Sequence, residues 1–294
     1  MRTVGLISAM ASIVFAGFVI LPRVFVTTLH VPEQYATIQS AIDAAPDGGA
    51  VRIGPGIYAE TLEITKALAL TGAPDGATRV VAGDAATAVT VRNTRRVRIE
   101  GLAVVGGDVG VLIEESEAVQ LVANRIVGAR FAGIRLSRAQ ALIKGNDVRA
   151  GSGPYGMGIE LANTMSRPES LISGNTVAGA THEGIILHNA HATIQGNVVT
   201  ANGLRGVSIS EMSMAKVSNN KIVGNADAGI HVVDHSMAEI AGNQIARVGP
   251  GPEGKAHGIR AFYYAEVMLG RDNLIELDLE DAVVASFGAT VERR

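Results

Sequence analysis

The sequence predicts an all-β fold, a single-stranded right-handed parallel β-helix, with a short N-terminal capping helix and a hydrophobic transmembrane or signal segment ahead of it. This expectation rests on three features of the chain. A glycine-led apolar step returns at intervals of 23, 25, 26, 22, 23 and 29 residues. An asparagine followed by an apolar strand returns at 22, 29, 22, 23, 23 and 30. An amphipathic stretch stands directly before the first short strands, where it would cover the open end of a stack.

The leader comes first. From Val4 to Leu21 no side chain is charged. Eighteen residues at helical rise span roughly 27 Å, just enough to cross a bilayer. One reading is an uncleaved signal anchor; the other is a cleaved signal peptide. Both export the domain behind the leader. The expected organisation is therefore a leader over residues 1–29 and one β-helix domain over 30–294.

Next comes the cap. Tyr35 to Ala45 places Ile38, Ala41, Ile42 and Ala45 on one helical face, and Asp47-Gly48-Gly49 ends the run. Val51 and Ile53 then alternate with Arg52 as a strand does. The segment from 80 to 110 reads as irregular early rungs.

The repeat proper starts at Gly110 and continues through Gly133, Gly158, Gly184, Gly206, Gly229 and, more loosely, Gly258. A rung of about 22 residues holds three short strands and three bends but no βαβ crossover. In Gly229-Ile-His-Val232, alternation sends Ile230 and Val232 inward and His231 outward. The asparagines at 124, 146, 175, 197, 220, 243 and 273 predict an internal amide ladder at one bend. Leu274 to Glu280 alternates as a final half-solvated strand.

Composition excludes some functions. The 294-residue chain has no cysteine, which removes disulfides and thiolate metal sites, and no histidine–carboxylate set has metal-ligand spacing. Its net charge of -3, without a basic run, predicts no nucleic-acid partner. Cofactors and oligomeric state are left open.

Two stretches carry a family resemblance. Tyr35-Ala-Thr-Ile-Gln-Ser-Ala-Ile-Asp-Ala-Ala45 and Val51-Arg-Ile-Gly-Pro-Gly-Ile-Tyr-Ala-Glu60 resemble the N-terminal module of pectin-lyase-like β-helix proteins. Residues 110–275 resemble the repeats of carbohydrate-binding and sugar-hydrolase domains. They are also similar to those of periplasmic proteins of the nitrous-oxide-reductase maturation type. The resemblance implies a pectin-lyase-like fold. It does not choose among lyase, hydrolase, methylesterase, epimerase and non-catalytic members. The catalytic aspartate pair of pectin methylesterases and the Asp-Pro motif of alginate epimerases have no counterpart here. Val233-Asp234-His235-Ser236 resembles an Asp-His element of pectate lyases, without the tryptophan usual beside it.

The repeat also nominates site candidates. Longer spacings place insertions near 151–156, 163–169 and 248–255, where loops would wall a groove. Two residues after each glycine lie Arg135, Glu160, Ile186, Ser208, His231 and Arg260. Four after it lie Ser137, Ala162, His188, Ser210, Val233 and Phe262. Both columns share the outer face. The candidate acid/base groups are Glu160, Glu183, His188, His231, Asp234 and His235. Arg135, Arg205 and Arg260 are candidates to hold uronate carboxylates, and Tyr155 and Tyr263 to stack on sugar rings. The expected function is an extracytoplasmic β-helix that binds or modifies a glycan, with lyase, hydrolase or epimerase chemistry on acidic polysaccharide. The alternative is a non-catalytic, membrane-tethered scaffold or maturation protein with an envelope-protein partner. Either would be secreted or held at the inner membrane through residues 4–21, facing the periplasm.

Overall fold

The computed structural model describes residues 27–276 and 282–294, together with two two-residue strands, Val14–Phe15 and Phe18–Val19, that pair antiparallel. The rest of the expected leader lies outside the described residues, as do residues 277–281 of the expected final strand. No helix among the described residues is long and apolar enough to cross a membrane.

From Thr28 the chain winds through three parallel sheets, returning to each once per turn. Sheet I has twelve strands, from Thr28–Val31 to Thr290–Arg293. Sheet II has ten, from Gly56–Tyr58 to Leu274–Glu276. Sheet III also has ten, from Leu62–Ile64 to Val283–Ala285. Each strand pairs only with its counterparts one turn before and after, so like positions stack at roughly 4.8 Å. Among the described residues short bends carry the chain between sheets, one of them a single 3-10 turn at Pro74–Gly76. The segment expected to be irregular, 80–110, forms regular rungs: Thr78–Gly83, Thr87–Arg92, Val97–Glu100 and Leu102–Gly106 each join a sheet, with one register shift at Val105/Gly106.

The interior is a continuous stack of aliphatic side chains. Ile134, Ile159, Ile185, Val207, Ile230 and Ile259 form one file of it, all fully buried. Helix α1 (Ile38–Ala44) closes the N-terminal end with Ile38, Ala41 and Ile42 inward. Its cap is Thr37, whose hydroxyl accepts from the Ser40 amide.

The two repeat marks have separate physical reasons. At the glycine, a Cβ on Gly158 would lie on a Val177 methyl and 2.5 Å from the Gly184 carbonyl oxygen. The chain there runs too close to its neighbours for any side chain. At the asparagine, each amide group serves the rung before it. Asn197 Oδ1 accepts from the Asn175 amide and from Asn175 Nδ2, both at 2.9 Å. Asn197 Nδ2 in turn donates to Asn220 Oδ1 at 2.9 Å and to the Ile172 carbonyl at 3.0 Å. The same pattern runs from Asn124 to Asn273, so the buried amides have the partners that make their burial tolerable. A second, shorter ladder joins Asn202 Nδ2 to Asn225 Oδ1 at 2.8 Å.

Candidate functional site

The outer face of sheet III carries the candidate chemistry. Strand pairing sets Leu112, Arg135, Glu160, Ile186, Ser208, His231 and Arg260 in one column, one residue per rung. Ser137, Ala162, His188 and Ser210 form the column beside it. Alternation alone would leave an outward column wet. Instead Glu160 is 4% exposed, His231 5% and Arg260 7%. On one flank, two of the insertions stand beside Arg260 and beside His182. The loop at 249–256 lies beside Arg260, where Glu253 Oε2 stands 3.4 Å from Arg260 Nη2. The loop at 151–156 brings Tyr155 edge-on to His182, ring centres 5.2 Å apart. On the other flank, the loop at 163–169 folds back on earlier rungs. There Arg167 meets Glu115 and Glu117, both at 2.8 Å.

A charge ladder borders the column on its upstream side. Glu183, Arg205 and Asp227 occupy successive rungs, each just before a sheet III strand. Arg205 Nη1 lies 3.2 Å from Glu183 Oε1, and its Nε 2.8 Å from Asp227 Oδ2. The other oxygen of Asp227 takes Arg260 Nη1 at 2.9 Å. The Arg260 guanidinium also lies 4.1 Å over the Phe262 ring. Farther along, Arg135 Nε stands 3.2 Å from Glu160 Oε2, an ion pair without hydrogen-bond alignment. All three candidate arginines are thus paired with carboxyl groups of the chain itself.

Several buried polar atoms on this face have no hydrogen-bond partner: Glu160 Oε2, both ring nitrogens of His231, and Arg260 Nε. Burial pushes the Glu160 carboxyl above its ordinary range, against the opposing pull of Arg135 and His188. Burial first, and then the positive charges of Arg205 and Arg260, push His231 down to about 2, so its imidazole is neutral at physiological pH. A carboxyl whose neutral form is favoured by burial and a neutral imidazole are both proton-transfer groups. They lie three rungs apart, about 14 Å at the spacing of stacked strands. Two groups flanking one glycosidic bond stand within roughly 5–9.5 Å, so this pair does not form a glycosidase dyad.

The remaining candidates are spread along the same face. His188 Nδ1 is shared by Glu211 Oε1 and Ser210 Oγ, each at 3.1 Å. With both partners on one ring nitrogen, this arrangement holds the ring and is not a relay from serine through imidazole to carboxylate. His182 Nδ1 meets Glu183 Oε2 at 3.2 Å. Asp234 and His235 lie exposed at the downstream bend, where His235 stacks on Tyr264 with ring centres 5.1 Å apart. Tyr263 stacks on Phe287 at the same separation. No group of three or more metal-ligating side chains converges among the described residues.

Sequence reasoning missed Asp227, Glu211 and Glu253. The first had a signal: Glu183, Arg205 and Asp227 follow one another at intervals of 22 residues, one or two positions ahead of Gly184, Gly206 and Gly229. Glu211 and Glu253 lie in bends and loops without periodic context.

The family described as right handed beta helix region matches residues 87–245. A cell surface glycoprotein of Methanothermus fervidus is 29% identical over 110 residues, 37% of this chain and 18% of that protein. The match thus spans under a fifth of the curated relative. Among solved structures, an alginate lyase from Paenibacillus sp. str. FPU-7 superposes with a TM-score of 0.68 at 14% identity, over 90% of this chain and 99% of that one. A DFA-IIIase from Arthrobacter chlorophenolicus A6 without its lid gives 0.57 at 15%, covering 90% and 92%. Pectate lyase Pel9A gives 0.56 at 11%, covering 87% and 72%. At these identities the likeness is one of fold.

Proposed function

The chain belongs to the right-handed parallel β-helix family, and from that premise we infer that it is an extracytoplasmic glycan-binding protein whose track is the outer face of sheet III. The observation that carries this reading is the column itself. Polar atoms of Glu160, His231 and Arg260 are withdrawn from bulk water yet left without hydrogen-bond partners. Buried polar atoms without partners are rare, because desolvation costs about 1–3 kcal/mol per group unless something else bonds them. A column with one residue per rung suits a ligand that is itself a linear repeat. A polysaccharide presents hydroxyls at regular intervals, and the exposed Tyr155 beside His182 offers a ring near one margin.

The relatives support the same class. Three structures of this fold carry the names of an alginate lyase, a pectate lyase and a DFA-IIIase, and the curated relative is a cell surface glycoprotein. The last also supports a position outside the cytoplasm. If the face carries out chemistry, Glu160 is the proton donor best placed for it, since burial favours its neutral form.

A glycan array probed with the purified full-length chain, with and without Ca²⁺, tests the reading. Binding to one glycan class that falls at least about tenfold in Glu160→Gln and His231→Gln, the loss of roughly one hydrogen bond to a bound ligand, is the expected result. A folded protein silent across the array would overturn it. The second reading, a scaffold for a protein partner, has its own observation. Met212, Tyr263, Tyr264 and Phe287 form an exposed apolar group at the downstream bend.

A further inference from the structure

The charges around the column bear on which glycan it takes. Arg135 is paired with Glu160, Arg205 with Glu183 and Asp227, and Arg260 with Asp227 and Glu253. Four carboxyl groups therefore meet three guanidiniums, and a fifth, Glu211, holds His188. A polyuronate brings a carboxylate on every ring. To be held by Arg205 or Arg260 it would have to displace carboxyl groups already in place, two of which, Glu183 and Asp227, are buried. Its own charges would meanwhile face the protein's. Fork-shaped recognition of a carboxylate needs a pair of parallel N–H groups on one guanidinium. Arg205 uses Nε and Nη1 on the chain's own acids, and Arg260 uses Nη1 and Nη2.

The unpartnered atoms suit a different ligand. A neutral imidazole presents one donor and one acceptor, and a sugar hydroxyl is both acceptor and donor, whereas a carboxylate only accepts. Arg260 Nε adds a single donor beside His231, and Ser208 precedes His231 in the column. Glu160 Oε2 can accept from a hydroxyl, or donate to one when protonated.

We propose that the outer face of sheet III takes an uncharged, hydroxyl-rich glycan segment and discriminates against polyuronates, because the Arg205 and Arg260 guanidiniums are neutralised from within while its unpartnered buried atoms match hydroxyl groups. This rests on the reading of that face as a glycan track.

The test is a titration of the full-length chain with length-matched neutral hexose oligosaccharides (glucan, mannan, galactan and fructan series) and with oligogalacturonate and oligomannuronate. Tyrosine emission can report binding without interference, because the chain has five tyrosines and no tryptophan. Calorimetry provides a second readout. One neutral series is expected to bind at least about tenfold tighter than either uronate, with an affinity that does not change with salt, since no counterions are released. Glu253→Gln, at an exposed loop position that leaves the fold intact, frees Arg260 Nη2 and should narrow that preference. Uronate binding that equals or exceeds neutral binding, and that weakens with salt, would overturn the selectivity. If His231→Gln abolishes that uronate binding, the glycan track still stands. Silence toward both series, with the melting curve showing a folded protein, would remove the track and this inference together.

Discussion

Replacing Asp227 by asparagine should cost the fold about 3 kcal/mol, an effect far larger than most single substitutions at a bend. Asp227 is 2% exposed and binds two guanidiniums, Arg205 through Oδ2 at 2.8 Å and Arg260 through Oδ1 at 2.9 Å. Asparagine keeps one acceptor and turns the other into an N–H₂ group facing a cation. Breaking a buried pair by removing one partner costs roughly 3–5 kcal/mol, because the remaining charge stays buried and uncompensated. The lower end applies here. Arg205 is partly exposed and recovers hydration, and Arg260 retains Glu253 and the Phe262 ring. The backbone adds nothing to the comparison: residue 227 has φ of 54°, and asparagine tolerates that region as aspartate does. Alanine would not, and Asp227→Ala should lose about 1 kcal/mol more. Urea unfolding followed by far-UV circular dichroism measures the difference, with Glu253→Gln as the control expected within about 0.5 kcal/mol of the parent. An Asp227→Asn midpoint within that same margin would show that the carboxylate contributes little, and that Arg205 and Arg260 are held by packing rather than by charge.

The same geometry sets expectations for other substitutions. Asn197→Ala orphans the Asn175 amide and the Ile172 carbonyl and should destabilise by about 2–4 kcal/mol; Gln195→Ala, two residues away and exposed, should be near neutral in the same urea titration. Gly158→Ala forces its methyl onto Val177 and the Gly184 carbonyl and should cost at least about 1–3 kcal/mol, read as a lowered thermal midpoint. His231→Leu removes two unpartnered buried nitrogens, so stability should hold or rise by about 1 kcal/mol while glycan binding is lost; destabilisation with intact binding would contradict its assignment to the track. His231 also has a pH signature. Its folded pKa, about 2, lies below the ordinary 6.5, so the unfolded chain binds the extra proton. Its contribution is therefore fully present above pH 6.5 and is lost as pH falls, by up to about 1.4 kcal/mol per unit. Comparing urea midpoints of the parent and His231→Leu from neutral to acid pH should show that slope only in the parent. Glu160 acts in the opposite sense over its own window: its raised pKa adds stability below its ordinary 4.5 that is lost as pH rises through the folded value.

Much of this molecule was legible in one dimension because a solenoid converts sequence period into spatial neighbourhood. Gly110 to Gly258 mark places where a side chain cannot fit, and Asn124 to Asn273 mark a bend whose amides satisfy one another. Counting residues was enough to stack Arg135 on Glu160 and His231 under Arg260, since strand register repeats with the rung. Pattern also separated Ile230 and Val232 from His231 by face. The reading of 80–110 as irregular failed for a related reason: those rungs lack the glycine and asparagine marks, yet Val89, Val91, Ile99, Leu102 and Val104 fill the same inner stack by hydrophobicity alone.

Architecture and the choice of outward-facing residues could thus be read from the chain, because both depend only on alternation and period. Whether an outward residue is wet or dry depends on contacts that have no period. Glu160 lies beside Arg135 and His188, and His231 between Ser208 and Arg260 with Phe262 edge-on to it; both are buried, and the shifted protonation of both groups is a consequence of that burial. The pairing of Arg205 and Arg260 with Asp227 belongs to the same level. It joins side chains 22 and 33 residues apart, across bends whose direction only the folded chain defines. Charge compensation and desolvation are properties of three-dimensional distance, which is why the candidate arginines could be named from the sequence but Asp227 and Glu253, which hold Arg205 and Arg260, could not.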